Sequence, residues 1–584
     1  MPETVNIIIN GKSYVTDSRS TVLKACEDNG FDIPRLCYLE GIHEEGNCRL
    51  CSVEIDEGQA LKPACKTPVR EGMRIVTENK RIYDYVSMNL ELLASNHHFE
   101  CFKCSREENC EFLDLLRAYS IGNEFSDLYG YELKDAHLGL SSEAMVIDSS
   151  KCILCGRCVS ACEVFSGLGI LDFNSRGSKT YVGPAQFHNL DDAGCIHCGK
   201  CIQACPTGAL REQDDIKRLE KALRDETKTV IVQVAPAVRA ALGEEFGYAP
   251  GTNVEGKMFS ALYTLGVNEI LDTNFAADLT IMEESAEFMD RLENGGTLPL
   301  FTSCSPGWIN YLELYHPDLI PHVSSCKSPQ QMAGAVIKTY YAKKLGLTPN
   351  DVVSVSVMPC VAKKGEAARA EMGRDGYRDV DIVLTTRELG RLIRRRGIDF
   401  KNLSPMEPFG DLAKYTGAAA IFGASGGVME AALRTVSERI LGTSAPIVFE
   451  AVRGTEGIKE ATYNLDGLEV NVAVVQGGVQ IKTFLERMKT SGKTYHFVEF
   501  MGCLGGCVNG GGQPIVKAKD RQKTDLVKAR ASVLYRIDDR SMVRKSHMNM
   551  SVRRLYDEYL DGLGHDGIHA LLHTSYRARE PYSE

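Results

Sequence analysis

Cys152-Ile-Leu-Cys155-Gly-Arg-Cys158-Val-Ser-Ala-Cys162 and Cys195-Ile-His-Cys198-Gly-Lys-Cys201-Ile-Gln-Ala-Cys205-Pro206 write one pattern twice. In such C-x2-C-x2-C-x3-C pairs, three cysteines of each run bind one cubane [4Fe-4S] cluster, and the fourth reaches across to the cluster of the other run. Cys152, Cys155, Cys158 and Cys205 are therefore one expected ligand set, and Cys195, Cys198, Cys201 and Cys162 the other. The first run has Glu163 where the second has Pro206, a difference in backbone geometry that leaves the ligand number intact. Zinc, the competing tenant of four-cysteine sites, does not account for two complete runs.

The remaining cysteines are grouped as tightly. The chain of 584 residues holds 21 of them at a net charge of -11. Disulfides would need an oxidising compartment, yet Met1-Pro-Glu-Thr-Val-Asn-Ile-Ile-Ile-Asn10 has no basic n-region, no long apolar stretch and no twin arginine. A cytoplasmic protein with reduced thiols is expected. No segment offers the roughly 20 uninterrupted apolar residues of a membrane span, and the acidic balance argues against nucleic acid or an anionic membrane as partner.

Working toward the N-terminus, Val5, Ile7 and Ile9 alternate with other residues ahead of Asn10-Gly11, the signature of a tight hairpin. Behind it, Cys37, Cys48, Cys51 and Cys65 follow in an order that resembles plant-type [2Fe-2S] ferredoxins, with a longer first gap; a structural zinc site is the competing reading. The resemblance implies a β-grasp [2Fe-2S] domain over residues 1–80, with Cys26 an ordinary buried thiol. Residues 81–140 carry His97-His98-Phe-Glu-Cys101-Phe-Lys-Cys104 and Cys110. This H-x3-C-x2-C-x5-C spacing resembles the one-histidine, three-cysteine [4Fe-4S] module of [FeFe]-hydrogenases and of the large iron-sulfur subunit of NADH dehydrogenases, with His97 in register. One imidazole makes such a cube less negative and raises its potential, as in Rieske centres. The paired runs, in residues 141–213, resemble bacterial ferredoxins. Four accessory clusters share one property, passing single electrons, so this third of the chain reads as a wire.

From residue 214 to 584 the pattern changes. Apolar stretches at 229–234, 352–358, 381–384, 470–475 and 496–500 alternate with amphipathic segments, which indicates α/β layering. Thr385-Thr-Arg-Glu388 reads as a capping box. Cysteines follow two of these strands directly, where open α/β sheets place ligand sites.

Three segments in this part, Thr302-Ser-Cys-Ser-Pro-Gly-Trp308, Met358-Pro-Cys-Val-Ala-Lys363 and Met501-Gly-Cys-Leu-Gly-Gly-Cys507 with Gly510-Gly-Gly-Gln-Pro514, closely resemble the signatures of the [FeFe]-hydrogenases. The resemblance implies a large α/β catalytic domain with its active site between two lobes. It also implies an H-cluster: a [4Fe-4S] cube bridged through a cysteine to a two-iron centre carrying CO, cyanide and a dithiolate amine. Cys360, Cys503 and Cys507 are the implied cube ligands, Cys507 the bridge. The family's fourth ligand falls at Ser305, so Cys326 is expected to replace it, with a Ser305 alkoxide or Cys304 as alternatives; thiolate is the softer iron donor. Cys304 stands where the family delivers protons, and Met282-Glu-Glu-Ser-Ala-Glu287 implies a path through Glu284, Ser324, Glu287 and Arg291, although a solvated helix face is the bland alternative. Ala235, Pro236, Pro329, Gln330, Met358, Lys363, Phe422 and Met501 are implied to surround the two-iron centre, Lys363 by hydrogen-bonding a cyanide.

Ala237, Ser305 and Cys326 together suggest the hydrogen-converting subunit of a multimeric NAD-linked, electron-bifurcating hydrogenase that also uses ferredoxin. No G-x-G-x-x-G fingerprint is present, so flavin and NAD chemistry is assigned to partner subunits. A stand-alone ferredoxin-dependent hydrogenase is the alternative. The large iron-sulfur subunit of an NADH or formate dehydrogenase would explain the first 210 residues but not the three later segments. A hydrogen sensor or assembly factor on the same fold often lacks the relay cysteine or the wire. Maturation proteins must build the two-iron centre.

Overall fold

Ile7 and Ile9 are fully buried, and their neighbours face outward, because a strand sends successive side chains to opposite faces. Asn10 and Gly11 both take positive φ, 47° and 82°, the twist a two-residue hairpin needs. The computed structural model describes residues 3–58, 60–122, 135–442, 448–521 and 523–582; positions 123–134 of the expected 81–140 module lie outside them. The hairpin Thr4–Ile9 and Lys12–Asp17 is extended by Met73–Val76, parallel to the first strand, and then by Ser52–Ile55 and Lys62–Pro63 into a five-stranded sheet. The helix Val22–Asp28, capped by Thr21, closes the core over Ile7 and Ile9 with Val22, Leu23 and Cys26.

Ile82, Val86, Leu90 and Ala94 recur every fourth residue and form the buried stripe of the helix Lys80–Ala94, which delivers the chain to His97. The paired runs that follow are bracketed by Met145–Ile147 and Leu210–Glu212, antiparallel to each other. Their internal likeness extends to the backbone. Leu154 and His197, at equivalent positions, have φ of 53° and 55°, and their amides donate to Cys152 Sγ and Cys195 Sγ, both at 3.4 Å.

The strand Thr229–Val234 has Val230 to Val234 buried throughout, as expected where both sheet faces are covered. It pairs in parallel with Glu269–Asp272 on one side and Val352–Met358 on the other, and Ile382–Thr385 completes this sheet. A second four-stranded sheet runs Leu300–Phe301, Phe497–Met501, Leu468–Gln476, Ile458–Leu465, parallel except for the last strand. The expected capping box forms at Thr385 and Glu388. The long helix Thr273–Asn294 packs on Pro329–Val336 from the first half and Gly427–Leu441 from the second. The helix Leu526–Arg540 lies across both, since Arg530 bonds Glu244 and the Val508 carbonyl and Arg434 bonds Asp538 at 2.7 Å, while the helix Asp561–Leu572 packs on Pro329–Val336. Among the described residues no helix is long and apolar enough to cross a membrane.

The second cysteine run meets the catalytic half backbone to backbone. A Cβ on Gly511 would lie 2.2 Å from the Cys198 carbonyl oxygen, so residue 511 can carry no side chain. Overpacking there is expected to cost about 1–3 kcal/mol. Gly511→Ala should therefore lower the first thermal transition in calorimetry, whereas Gly562→Ala, with open space around it, should not; equal transitions would contradict the close contact.

Candidate active site and electron path

The carboxyl ends of the two sheets face a shared cavity. Ala235 and Pro236 follow Thr229–Val234, Met358, Pro359 and Cys360 end Val352–Met358, Met501, Gly502 and Cys503 end Phe497–Met501, and Cys304 and Ser305 follow Leu300–Phe301. Pro329, Gln330, Lys363, Phe422, Cys507 and Gly510 complete the wall around about 750 Å³ free of protein atoms. Every residue expected around the two-iron centre lines this cavity, as do Cys360, Cys503 and Cys507.

The donor set suits a metal cluster. Burial raises the Cys360 thiol, and the charges of Cys503 and Cys507 raise it further; thiols so crowded ionise together only around a cation. Lys363 Nζ donates to Glu366 Oε1 and Oε2, each at 2.9 Å, and to the Cys304 carbonyl at 3.1 Å. Glu366, which the sequence reading missed, also accepts from Ser328 and Gln330 at 2.9 Å each. Its only sequence signal is the i+3 spacing after Lys363.

Cys326 is not at the cavity. Its backbone pairs with His573 as an isolated bridge, which turns the thiol away from Cys360 and toward Glu287 Oε2, 3.8 Å distant. The expected role of Cys326 as fourth ligand of the cube is therefore corrected: a tertiary contact with His573, far along the chain, holds it beside Glu287, and it is not among the residues that line the cavity. Ser305 and Cys304 are the side chains that line the cavity in its place. Ser305 Oγ accepts the Gly502 amide at 3.1 Å, beside Cys503.

Glu284, Ser324, Glu287 and Arg291 form a connected series leading away from Cys304. The Glu284 carboxyl is fully buried and is pushed up to about 8 by burial and then by the charge of Glu287, with Ser324 as a hydrogen-bond partner. Ser324 Oγ donates to Glu287 Oε2 at 2.8 Å, and Arg291 Nη2 to Glu287 Oε1 at 2.6 Å. Glu284 also acts electrostatically on Cys304.

In the N-terminal third, Cys65 hydrogen-bonds Cys51 and feels Cys37 and Cys48, while the Cys48 amide donates to Cys37 Sγ at 3.4 Å. His97, Cys101, Cys104 and Cys110 line one pocket, together with His98. The His97 imidazole is pushed down to about 4 by burial, so it stays neutral, and its Nδ1 is buried without a partner. Burial, then Cys155, Cys152 and Cys205, raise the Cys158 thiol, with Cys201 acting last; burial, then Cys198, Cys195 and Cys162, raise that of Cys201. Each neighbourhood thus brings together the four cysteines of one expected set.

The groups are in contact end to end. Asn47 Nδ2 reaches the Cys155 carbonyl at 3.5 Å, and Cys110 Sγ lies 3.6 Å from the Pro206 carbonyl. Gln203 Nε2 donates to the Gly510 carbonyl at 2.9 Å.

A cysteine-walled cavity at the end of a series of cluster sites defines a multi-cluster redox enzyme. Comparison with known proteins makes this specific. Residues 228–511 match the family model described as the iron only hydrogenase large subunit, C-terminal domain. Other models match at 2–80, a 2Fe-2S iron-sulfur cluster binding domain; at 87–124, an NADH-ubiquinone oxidoreductase-G iron-sulfur binding region; and at 151–209, a 4Fe-4S dicluster domain. Residues 524–579 match the iron hydrogenase small subunit, a segment that the sequence reading did not separate from the catalytic domain. The chain is 44% identical over 573 residues to iron hydrogenase 1 of Clostridium pasteurianum, covering 98% of this chain and 99% of that protein. It is 42% identical over 588 residues to the NADP-reducing hydrogenase subunit HndD of Solidesulfovibrio fructosivorans, covering 99% of each. The solved apo [FeFe]-hydrogenase HydA1 of Chlamydomonas reinhardtii matches with a TM-score of 0.56 and 41% identity, over 63% of this chain and 99% of that one. The chain belongs to the iron-only, or [FeFe]-, hydrogenases: an oxidoreductase with 2Fe-2S and 4Fe-4S domains and an H-cluster domain.

The placement of Cys326 has a direct consequence for iron content. Cys326→Ala should keep the full iron complement and the spectrum of the active-site cube. Ser305→Ala should instead convert part of that cube to a three-iron form visible by EPR; iron loss in the Cys326 variant alone would reverse the assignment.

Proposed function

We propose that the chain is the hydrogen-converting subunit of an NAD(P)-linked hydrogenase, which splits H2 reversibly into two protons and two electrons and bifurcates electrons between a nicotinamide and ferredoxin. The observation that carries the H2 chemistry is the cavity walled by Cys360, Cys503 and Cys507, with a proton-bearing series on one side and the Cys198–Gly511 contact on the other. Cys360, Cys503, Cys507 and Ser305 would hold the cube, with Cys507 the thiolate that would link it to the two-iron centre. When bound, the H-cluster supplies the iron at which H2 is cleaved or formed.

The protein's own share is transport and shielding. Lys363 lines the cavity, where its ammonium would anchor a cyanide of the bound centre by a charge-assisted hydrogen bond, and Glu366 fixes its position. Ala235, Pro236, Pro329, Met358, Phe422 and Met501 give an apolar wall that keeps bulk water out. Cys304 exchanges a proton with the active site, and Glu284, Ser324, Glu287 and Arg291 conduct it to the surface. A carboxyl titrating near 8 both gives and takes a proton at neutral pH.

Clusters held by Cys195, Cys198, Cys201 and Cys162 and by Cys152, Cys155, Cys158 and Cys205 would carry the electrons away in that order. From the second set two arms would lead on, one to a [2Fe-2S] cluster at Cys37, Cys48, Cys51 and Cys65, the other to a cube at His97, Cys101, Cys104 and Cys110. Two exits suit two acceptors. The relative named as a subunit of an NADP-reducing hydrogenase supports a multimeric assembly with flavin- and NAD-binding partner subunits. A stand-alone ferredoxin hydrogenase is the second reading, favoured by the equally long likeness to iron hydrogenase 1.

Glu284→Gln should reduce turnover by about 10²–10⁴-fold, the scale of a lost proton carrier, with iron content and cluster spectra unchanged. Wild-type turnover in that variant would remove Glu284 from the path. The matured chain, assayed for H2-dependent reduction of ferredoxin alone, NAD(P) alone and both, should need co-purifying flavoprotein subunits for nicotinamide reduction. Full ferredoxin reduction by the isolated chain would establish the stand-alone enzyme.

A further inference from the structure

Three side chains from separate elements meet beside the proposed proton path. Glu287 lies on the helix Thr273–Asn294, Cys326 just ahead of Pro329–Val336, and His573 at the end of Asp561–Leu572. Backbone bonds fix their approach: Thr574 N donates to Ser325 O at 2.7 Å and Lys327 N to Leu572 O at 2.8 Å, around the Cys326–His573 bridge. Cys326 Sγ is 3.8 Å from Glu287 Oε2 and 4.0 Å from His573 Nδ1, and the three donor atoms lie within 4.8 Å of one another. Zn–S near 2.3 Å and Zn–N near 2.0–2.1 Å put tetrahedral sulfur and nitrogen ligands about 3.5 Å apart, so the Cys326 and His573 donors need close by only about half an ångström to reach that spacing.

The histidine is already oriented for such a role. His573 Nε2 is 3.0 Å from Glu283 Oε2, and Tyr556 OH donates to the same carboxylate. A ring proton given to Glu283 leaves the lone pair on Nδ1, the nitrogen that faces Cys326; carboxylates orient metal-binding imidazoles in this way. Glu287 is divided similarly. Its Oε1 is held by Arg291 at 2.6 Å, and its Oε2 turns toward the thiol. Ser325 Oγ, 2.8 Å from His573 Nδ1 and 3.2 Å from Glu287 Oε2, occupies hydrogen bonds that an entering ion would replace. Glu287 and Glu283 direct negative charge at Cys326. The site lies just beneath the surface, with the exposed His569 stacked on His573 at 4.3 Å.

We propose that Glu287, Cys326 and His573 bind a soft divalent cation, Zn2+ foremost, and that the bound ion immobilises Glu287 and stops proton traffic. Thiolate, imidazole and carboxylate together suit Zn2+ and do not suit Mg2+ or Ca2+. On binding, the Cys326 proton passes to solvent and the thiolate takes its place at the metal. The block rests on the proton path proposed above; the binding site does not.

The test uses the fully loaded enzyme, in which the other clustered cysteines are occupied, titrated with Zn2+. Calorimetry should show a site that weakens at least about tenfold in Cys326→Ala and in His573→Gln, and about tenfold in Glu283→Gln. The zinc X-ray absorption edge should report one sulfur among nitrogen and oxygen ligands. Hydrogen evolution should fall on Zn2+ addition, recover with a chelator, and resist Zn2+ in Cys326→Ala and in the more conservative Cys326→Ser. Zn2+ binding unaffected by all these substitutions would overturn the site. Tight, Cys326-dependent binding with undiminished turnover would overturn the block and, with it, the place of Glu287 on the proton path.

Discussion

Two parallel sheets that end at one cavity are the constraint on which the rest of this molecule depends. Parallel strands need crossovers, and crossovers return each strand with its carboxyl end on the same side. Thr229–Val234, Val352–Met358, Leu300–Phe301 and Phe497–Met501 thus deliver Ala235, Cys360, Cys304 and Cys503 to one place from widely separated stretches of chain. The helix Thr273–Asn294 spans the two halves, and its buried face carries Glu284 into the same region. Cys360 and Cys503 follow their strands within two residues, which keeps the cavity wall preorganised.

That arrangement must be reached by electrons and by protons from different directions, and the packing separates the two. On the proposed electron side, glycine at 511 lets the backbone of the second cysteine run press against the catalytic loop with nothing between. On the proposed proton side, a buried carboxyl, a serine and a surface-near carboxylate–arginine pair succeed one another through hydrogen bonds. The C-terminal helices complete both sides. Arg530 ties the glycine-rich loop to Glu244, and His573 closes over Glu287.

The cysteine runs, the hairpin at Asn10-Gly11, the capping box at Thr385 and the strands at 229–234 and 352–358 were legible because each is a local matter of spacing, φ preference or apolar run length. Cys360, Cys503 and Cys507 were legible because their motifs are compact. Cys326 was misread for the opposite reason. It was expected as a ligand because the family position holds Ser305 and Cys326 was a further unassigned thiol nearby, but its direction is set by a bridge to His573, a residue far along the chain that no local pattern connects to it. Glu366 was overlooked because a lone glutamate after Lys363 acquires meaning only when Gln330 and Ser328 converge on it.

The amino-acid sequence by itself determined the inventory: which cysteines fall into tightly spaced groups and which segments alternate as strand and helix. These follow from short-range geometry, since a cluster or a turn spans only a few residues. Tertiary structure alone decided the assignments that depend on direction. It set which of Cys304, Ser305 and Cys326 faces the cavity, how high the Glu284 carboxyl titrates, and that Cys198 and Gly511 touch. Those outcomes depend on burial and on contacts between distant residues, and both arise only when the sheets, the spanning helix and the C-terminal helices pack together.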